Sequence, residues 1–208
     1  EITLFTPFLW MGNLKDAMRE FSWERDFGPF TRHEIICDVA RGMEYLHGNK
    51  VFHRNLSSRN ILLTGERKAV IADFGMSKTL SAIESLSCGG GKGESCSIAW
   101  AESLLDAKNG DKRAAFSPCD VFSFGIVIWE VISSSHFGGQ SLKILISSMS
   151  QGKNLPRIQF STNSVLYGKE HIAMMRSCLL EDGRAHERPT FQEIVSAQRE
   201  WGIHQSEE

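Results

Sequence analysis

The sequence lacks a strong excess of charge of either sign, since 23 Lys and Arg residues stand against 25 Asp and Glu residues in a chain of 208. A formal net charge of −2 provides no basic field that would hold nucleic acid or an anionic membrane surface. We therefore expect no nucleic-acid partner. An anionic ligand would need a local binding site.

The chain also lacks an apolar run long enough to span a bilayer. The longest such stretch, "VFSFGIVIWEVI" at residues 121–132, is too short and contains Glu130. It predicts a buried core helix, and we expect no membrane contact from this segment.

Cysteine is sparse, with five residues, an odd count and no CxxC pair. This favours reduced thiols in a cytoplasmic protein and disfavours a structural zinc site. The sequence has no initiator Met and no signal peptide, and it begins on the apolar residues "ITLF". We expect it to be an excerpt of a longer protein.

Hydrophobic spacing indicates a mainly helical chain with a few short strands. Residues 2–10 are typical of a short buried strand broken by Pro7, and Gly12 then provides a turn before a helix. Thr31 and Glu34 form a capping-box pattern ahead of a long amphipathic helix that Gly48 would close. The apolar residues at helical spacing in it are Ile35, Ile36, Val39, Met43 and Leu46.

After this helix, "NILLT" (60–64) and "AVIAD" (69–73) flank the turn "GERK" and predict a small β-hairpin. Residues 75–112 are rich in Ser, Gly and charge and predict a long surface loop. Helices follow from Asp120 onward, and Thr190 with Glu193 would cap the last one.

The Gly-rich stretch "CGGGKGES" (88–95) raises the question of a phosphate loop. That motif requires Lys followed at once by Ser or Thr, whereas Lys92 is followed by Gly93. The alternative, a flexible linker, is favoured.

A second set of motifs carries a family resemblance. "HRNLSSRN" (53–60) has the spacing of the kinase catalytic loop H-R-D-x-x-x-x-N, and "ADFG" (72–75) follows the hairpin. In order along the chain come "LFTPFLWMGNLKD" (4–16), "AWAESLL" (99–105), "CDVFSFGIVIWEV" (119–131) and "ERPTF" (187–191). Together they resemble the hinge, the A-P-E element, the core helix and the C-terminal R-P-T-F of the eukaryotic protein kinases.

The branch is indicated by the catalytic loop. Ser57 stands where serine/threonine kinases usually carry Lys, and Arg59 lies four residues after position 55 as in many tyrosine kinases. The loop is similar to the tyrosine-kinase and tyrosine-kinase-like branch, although these two residues leave the choice between tyrosine and serine/threonine substrates open.

The resemblance implies an α+β, protein kinase-like fold: a mainly helical C-terminal lobe with a small β-hairpin and the hinge strand. The implied division is a hinge strand and linker at 1–12, the lobe at 13–201 and a polar tail at 202–208. Within the lobe, the catalytic loop is 53–60 and the activation segment is 73–102. No Gly-rich loop, strand Lys or paired helix Glu precedes the hinge, so the N-terminal lobe is expected to be absent from this segment.

The resemblance also implies ATP and Mg²⁺ as cofactors. Asp73 and Asn60 would hold the metal, and the catalytic residues would be Asn55, Arg59, Asn60 and Asp73. The backbones of Pro7 and Leu9 would bind adenine. Thr6 would be the gatekeeper, and Leu62 would form the apolar floor under the base.

Asn55 departs from the family pattern, because the catalytic base is Asp there and a neutral amide cannot accept a proton. Three hypotheses remain open. The protein is a pseudokinase, a working but slow kinase, or a scaffold with no catalysis. Its partner would be a protein substrate or a regulatory protein.

Three further roles follow from the resemblance. Arg54 would face the activation segment, which contains no Tyr, so any switch there must use Ser or Thr. Glu102 and Arg188 would form a buried ion pair, and Asp120 would hold the catalytic-loop backbone. The candidate phosphorylation sites are Ser77, Thr79, Ser81, Ser85, Ser87, Ser95 and Ser97.

Overall fold

The structure, a computed structural model, describes residues 8–21, 23–79, 112–133, 169–180 and 182–204. Several predictions fall outside these ranges: the hinge strand up to Pro7, the Gly-rich stretch, and the activation segment beyond Thr79 with Glu102.

The Gly turn and helix start predicted near the N-terminus are confirmed. Gly12 has a φ of +69°, which glycine adopts without strain, and helix α1 (Leu14–Glu20) follows directly. Asn13 is its N-cap, since the Asn13 side chain accepts a hydrogen bond from the Asp16 N–H at 2.9 Å. A short helix, α2 (Trp23–Asp26), precedes the long one.

The long helix α3 spans Pro29–Gly48, so the prediction that Thr31 and Glu34 cap its start is wrong. Gly28 is the N-cap and Pro29 occupies the first turn, where proline fits because its missing N–H needs no partner. Thr31 therefore lies inside the helix. Gly48 is its last residue and Asn49 is the C-cap, one position later than predicted.

Four short strands in the described ranges form two antiparallel pairs. The predicted hairpin is confirmed: β2 (Ile61–Leu63) pairs with β3 (Ala69–Ile71). The other pair joins β1 (Val51–Phe52) to β4 (Lys78–Thr79), with Val51 opposite Thr79. This second pairing brings the start of the activation segment against the strand that leads into the catalytic loop.

Three helices complete the described part: α4 (Lys112–Ser133), α5 (Lys169–Cys178) and α6 (Phe191–His204). The apolar run predicted as a core helix lies in α4, where Val121, Phe124 and Val127 are fully buried. None of the described helices is both long and apolar enough to cross a membrane.

The predicted cap of the last helix is confirmed, because Thr190 and Glu193 hydrogen-bond each other reciprocally at 2.7 and 3.3 Å. Two bonds to the Glu193 carboxylate, from the Thr190 N–H at 2.7 Å and the Thr190 hydroxyl at 2.8 Å, lower the pKa of Glu193 below its ordinary value. Helix α6 continues to His204, three residues into the predicted polar tail.

One hydrophobic core joins the helices to the hairpin. The predicted residues Ile35, Ile36, Val39 and Met43 are all buried in it, and Leu46 packs against it. Cys37, Cys119 and Cys178 are buried and form no disulfide, and burial raises the pKa of Cys37 and of Cys178 to about 12. The described residues thus form a mainly helical lobe with a small hairpin, as predicted.

Candidate functional site

The backbone of the catalytic loop is held by one buried carboxylate, that of Asp120 on α4. Asp120 is 1% exposed, its Oδ2 accepts the His53 N–H at 2.9 Å, and its Oδ1 accepts the Arg54 N–H at 2.8 Å. Arg54 has a φ of +68°, a strained conformation for a residue with a side chain. The two bonds to Asp120 compensate for this strain and confirm the role that the resemblance implied for Asp120.

His47, in the last turn of α3, extends this anchor. Its Nε2 donates to Asp120 Oδ2 at 2.8 Å, and its Nδ1 lies 3.2 Å from the Ser117 hydroxyl. The sequence analysis missed His47. The available signal was a His in the final turn of the helix that leads into the loop.

His53 connects the loop to the residue before Asp73. Its ring is fully buried, Nε2 donates to the Ala72 carbonyl at 3.0 Å, and Nδ1 accepts the Asn55 N–H at 3.2 Å. A carbonyl can only accept and an amide N–H can only donate, so these two contacts fix a neutral ring protonated on Nε2.

The hairpin brings the predicted metal-binding residues into one place. Asn60 lies just before β2 and Ala72 just after β3, and the Ala72 N–H donates to the Asn60 carbonyl at 2.8 Å. Because Ile61 pairs with Ile71, the residues flanking the hairpin are brought close together. The hairpin therefore brings the backbones of Asn60 and Asp73 near each other.

Asn55 stands between these two residues. The Asn60 Nδ2 donates to the Asn55 carbonyl at 2.7 Å, and the Asn55 Nδ2 lies 3.4 Å from Asp73 Oδ2. Asp73 is exposed and has a left-handed backbone with φ of 62° and ψ of 70°. Asn55 thus contacts both Asn60 and Asp73, and Arg59 lies exposed in the adjoining single turn Ser58–Asn60.

The donor atoms of this group fit Mg²⁺. Asp73 offers a carboxylate, and Asn60, whose Nδ2 is bound to Asn55, offers its Oδ1. Mg²⁺ prefers such hard oxygen ligands and commonly takes one or two from protein, with phosphates and waters completing the shell. A set of two protein oxygens suits a metal that arrives with phosphate.

Of the predicted nucleotide contacts, Thr6 and Pro7 lie outside the described residues. The Leu9 carbonyl accepts the Gly12 N–H at 3.0 Å, and the Leu63 N–H donates to the Gly12 carbonyl at 2.9 Å. The end of the linker is therefore bonded to β2, the strand that carries half-buried Leu62. Phe8 and Trp10 beside it are 90% and 66% exposed.

Arg54 faces the start of the activation segment, as predicted. Its side chain is buried, and Nη1 donates to the Met76 carbonyl at 3.0 Å. The Ser77 hydroxyl donates to the His53 carbonyl at 3.3 Å. These contacts join the catalytic loop to residues 76–79 next to the β1–β4 pairing. Of the candidate phosphorylation sites, Ser77 and Thr79 lie within the described residues.

Arg188 is buried and donates to the carbonyls of Leu180 at 3.0 Å and Pro118 at 3.1 Å, with its guanidinium 4.8 Å from the centre of the Phe122 ring. It thereby joins the segment after α5 to α4. The predicted partner, Glu102, lies outside the described residues, so that ion pair stays a prediction.

Comparison with known proteins agrees with the geometry. Residues 1–197 match the profile of the family described as protein tyrosine and serine/threonine kinase. The tyrosine-protein kinase receptor torso of Bombyx mori is 31% identical over 176 residues, which cover 82% of this chain and 20% of that protein. Vascular endothelial growth factor receptor 3 of Rattus norvegicus is 30% identical over 201 residues, covering 92% of this chain and 14% of the receptor.

A probable LIM domain-containing serine/threonine-protein kinase of Dictyostelium discoideum is 28% identical over 187 residues, which cover 88% of this chain and 25% of that protein. The chain therefore spans a quarter or less of the length of these relatives. They include both tyrosine and serine/threonine kinases.

Proposed function

The chain belongs to the protein tyrosine and serine/threonine kinase family, and we propose that it is the catalytic lobe of a tyrosine-kinase-like pseudokinase. The observation that carries this proposal is Asn55. The loop around it is fully anchored by Asp120, and the residue in the base position is an amide rather than a carboxylate.

A base in this position would take the proton of the substrate hydroxyl during phosphoryl transfer. General-base catalysis typically contributes ~10²–10⁴-fold in rate, which corresponds to roughly 3–5 kcal/mol of barrier. The Asn55 amide can orient a hydroxyl by hydrogen bonding but cannot accept its proton. Transfer by the wild-type protein should therefore be slow.

The rest of the site supports binding of ATP and Mg²⁺. When bound, the metal supplies positive charge that neutralises the phosphates. Asp73 and Asn60 are the residues that would hold it. Pro7 and Leu9 would bind adenine through their backbones, with Thr6 as gatekeeper and Leu62 against the base. Arg59, exposed beside the loop, would contact a protein substrate.

The proposed partners are a protein substrate or a regulatory protein. Two of the relatives are named as receptors, and ATP-dependent chemistry in such proteins would take place on the cytoplasmic side. A cytoplasmic location of this lobe is part of the proposal.

The test compares the full-length wild-type protein with Asn55→Asp in phosphate transfer from ATP to peptides containing tyrosine or serine. Restoring the base should raise the rate at least ~10²-fold. Asn49→Asp, an exposed Asn at the end of α3, makes the same chemical change away from the site and should leave the rate unchanged. Equal rates for wild type and Asn55→Asp would contradict this account of Asn55.

Two other hypotheses have distinct outcomes in the same assay. A slow kinase predicts wild-type transfer well above that of Asp73→Asn, which removes a metal ligand. A scaffold predicts no transfer by any variant, Asn55→Asp included. We also expect that the 208-residue segment alone gives no thermal shift with Mg²⁺ and ATP.

A further inference from the structure

The surroundings of the Asp73 carboxylate bear on how strongly nucleotide binding depends on a metal. Both of its oxygens face N–H donors: the Asn55 Nδ2 lies 3.4 Å from Oδ2, and the Gly75 N–H lies 3.4 Å from Oδ1. These contacts are long, and Asp73 is exposed. They nevertheless give each oxygen a partner within the protein, a role that a cation would otherwise have.

The position of Asn55 is set by the loop and not by Asp73 alone. Its N–H donates to His53 Nδ1 at 3.2 Å, and its carbonyl accepts from Asn60 at 2.7 Å. The backbone that carries the amide is therefore fixed by contacts within the loop. A carboxylate only accepts hydrogen bonds, so the nitrogen of the amide is the atom that points toward Asp73.

The charges at the site support the same role for Asn55 as its contacts do. An Asp at position 55 would place a second carboxylate a few ångströms from Asp73, and two carboxylates that share a site repel each other unless a cation lies between them. Asn55 removes one negative charge and adds one donor. It therefore also weakens the repulsion that ATP phosphates meet when no metal accompanies them.

We propose that Asn55 is a positioning residue that holds the Asp73 carboxylate in the absence of a metal, so that this protein binds ATP with little dependence on Mg²⁺. The inference rests on the proposed function, because it requires that the site binds a nucleotide. Asn55 cannot act as the base, and the inference gives it a different role, toward the Asp73 carboxylate.

The experiment measures the dissociation constant of ATP for the full-length protein in excess Mg²⁺ and in excess EDTA. The quantity compared is the ratio of the EDTA value to the Mg²⁺ value. Asn55→Asp should raise this ratio roughly 10-fold over wild type, because one unit of charge acts on the phosphates through a largely aqueous medium. A ratio unchanged within a factor of two would overturn the proposal.

Two further variants separate the hydrogen bond from general effects. Asn55→Ala is neutral but lacks the donor, and it should give a ratio between those of wild type and Asn55→Asp. Asn49→Asp adds the same charge outside the site and should leave the ratio at the wild-type value. A purely structural role of Asn55 would change ATP affinity equally with and without Mg²⁺, leave the ratio constant and so contradict the proposal.

A second readout uses Mg²⁺ alone. The ion should raise the melting temperature of Asn55→Asp and leave that of wild type unchanged, and equal shifts would count against the inference. The two proposals can fail separately. An unchanged ratio in a protein that binds ATP refutes only the role of Asn55 toward Asp73, whereas failure of Asn55→Asp to restore transfer refutes only the base account. No ATP binding in either condition would overturn both.

Discussion

Two adjoining parts of the catalytic site differ in the burial and length of the hydrogen bonds that hold them. The buried anchor, formed by Asp120, His47 and the backbones of His53 and Arg54, has contacts of 2.8–2.9 Å. The exposed end, formed by Asn55 and Asp73, has a contact of 3.4 Å. The loop therefore keeps its shape without depending on the residue at position 55. A kinase lobe can lose its base while the framework that would orient that base stays intact.

The largest effect should come from Asp120→Asn, which tests whether the anchor holds the loop. The two carboxylate oxygens accept from two different backbone N–H groups, and an Asn side chain can offer an oxygen to only one of them. Its NH₂ group would then face a buried donor. We expect a loss of about 3 kcal/mol in the free energy of unfolding, measured by chemical denaturation.

Asp73→Asn is the matched control, since it is the same change at the exposed end. It should lower stability by less than about 0.5 kcal/mol, because the Asp73 side chain is exposed and its contacts are long. Similar losses in the two variants would remove the distinction between anchor and exposed end.

The anchor also shows where sequence analysis succeeds. Motif spacing predicted that Asn55, Asn60, Asp73 and Asp120 belong to one site, because a motif combines local turn chemistry with a known arrangement. The motifs are "HRNLSSRN", "ADFG" and "CDVFSFG". His47 was missed, since its partner Asp120 is 73 positions away. A His in the final turn of α3 was a local signal for this residue, but nothing local identifies so distant a partner.

The predicted start of α3 was wrong for a local reason. Thr31 and Glu34 matched a capping box, but Pro29 two residues earlier already has the backbone conformation of a first helical turn. Two valid start signals competed, and the upstream one prevailed. Tertiary contacts such as Arg54 with Met76 also could not be predicted in detail from sequence, because they depend on the β1–β4 pairing.

The next largest effect concerns a buried polar pair outside the catalytic loop. It tests whether short, buried polar contacts also matter for stability in another part of the lobe. His33 on α3 and His171 on α5 are 9% and 3% exposed, and the His33 Nδ1 lies 2.8 Å from the His171 Nε2. Burial, followed by the charge of His33, lowers the pKa of His171 to about 4, and burial lowers the pKa of His33. Both rings are therefore buried in the neutral form.

The sign of the pH dependence follows from these directions. In the unfolded chain a His takes up a proton below about pH 6.5, whereas folded His171 stays neutral down to about pH 4. Stability is thus fully present above pH 6.5 and is lost as the pH falls toward 4. We expect His171→Gln to remove about 2 kcal/mol of the loss in unfolding free energy that wild type shows between pH 7 and pH 4.

His186→Gln is the control, because the side chain of His186 is 78% exposed. It should leave the pH dependence of unfolding at the wild-type value. If His171→Gln retains the full wild-type slope, the buried pair does not determine the acid sensitivity of the lobe.

The smallest effect tests whether the Arg54 side chain also holds the start of the activation segment. Arg54→Gln keeps the backbone bond to Asp120 but removes the guanidinium that donates to the Met76 carbonyl. We expect a loss of about 1–2 kcal/mol, seen as roughly 10-fold faster hydrogen exchange at the β1–β4 ladder, with Val51 and Thr79 as reporters. Arg59→Gln, at an exposed position five residues on, should leave this exchange unchanged. If Arg54→Gln also leaves the exchange unchanged, strand pairing alone holds residues 76–79. The stabilising contacts of the anchor then extend no further than the backbone of Arg54.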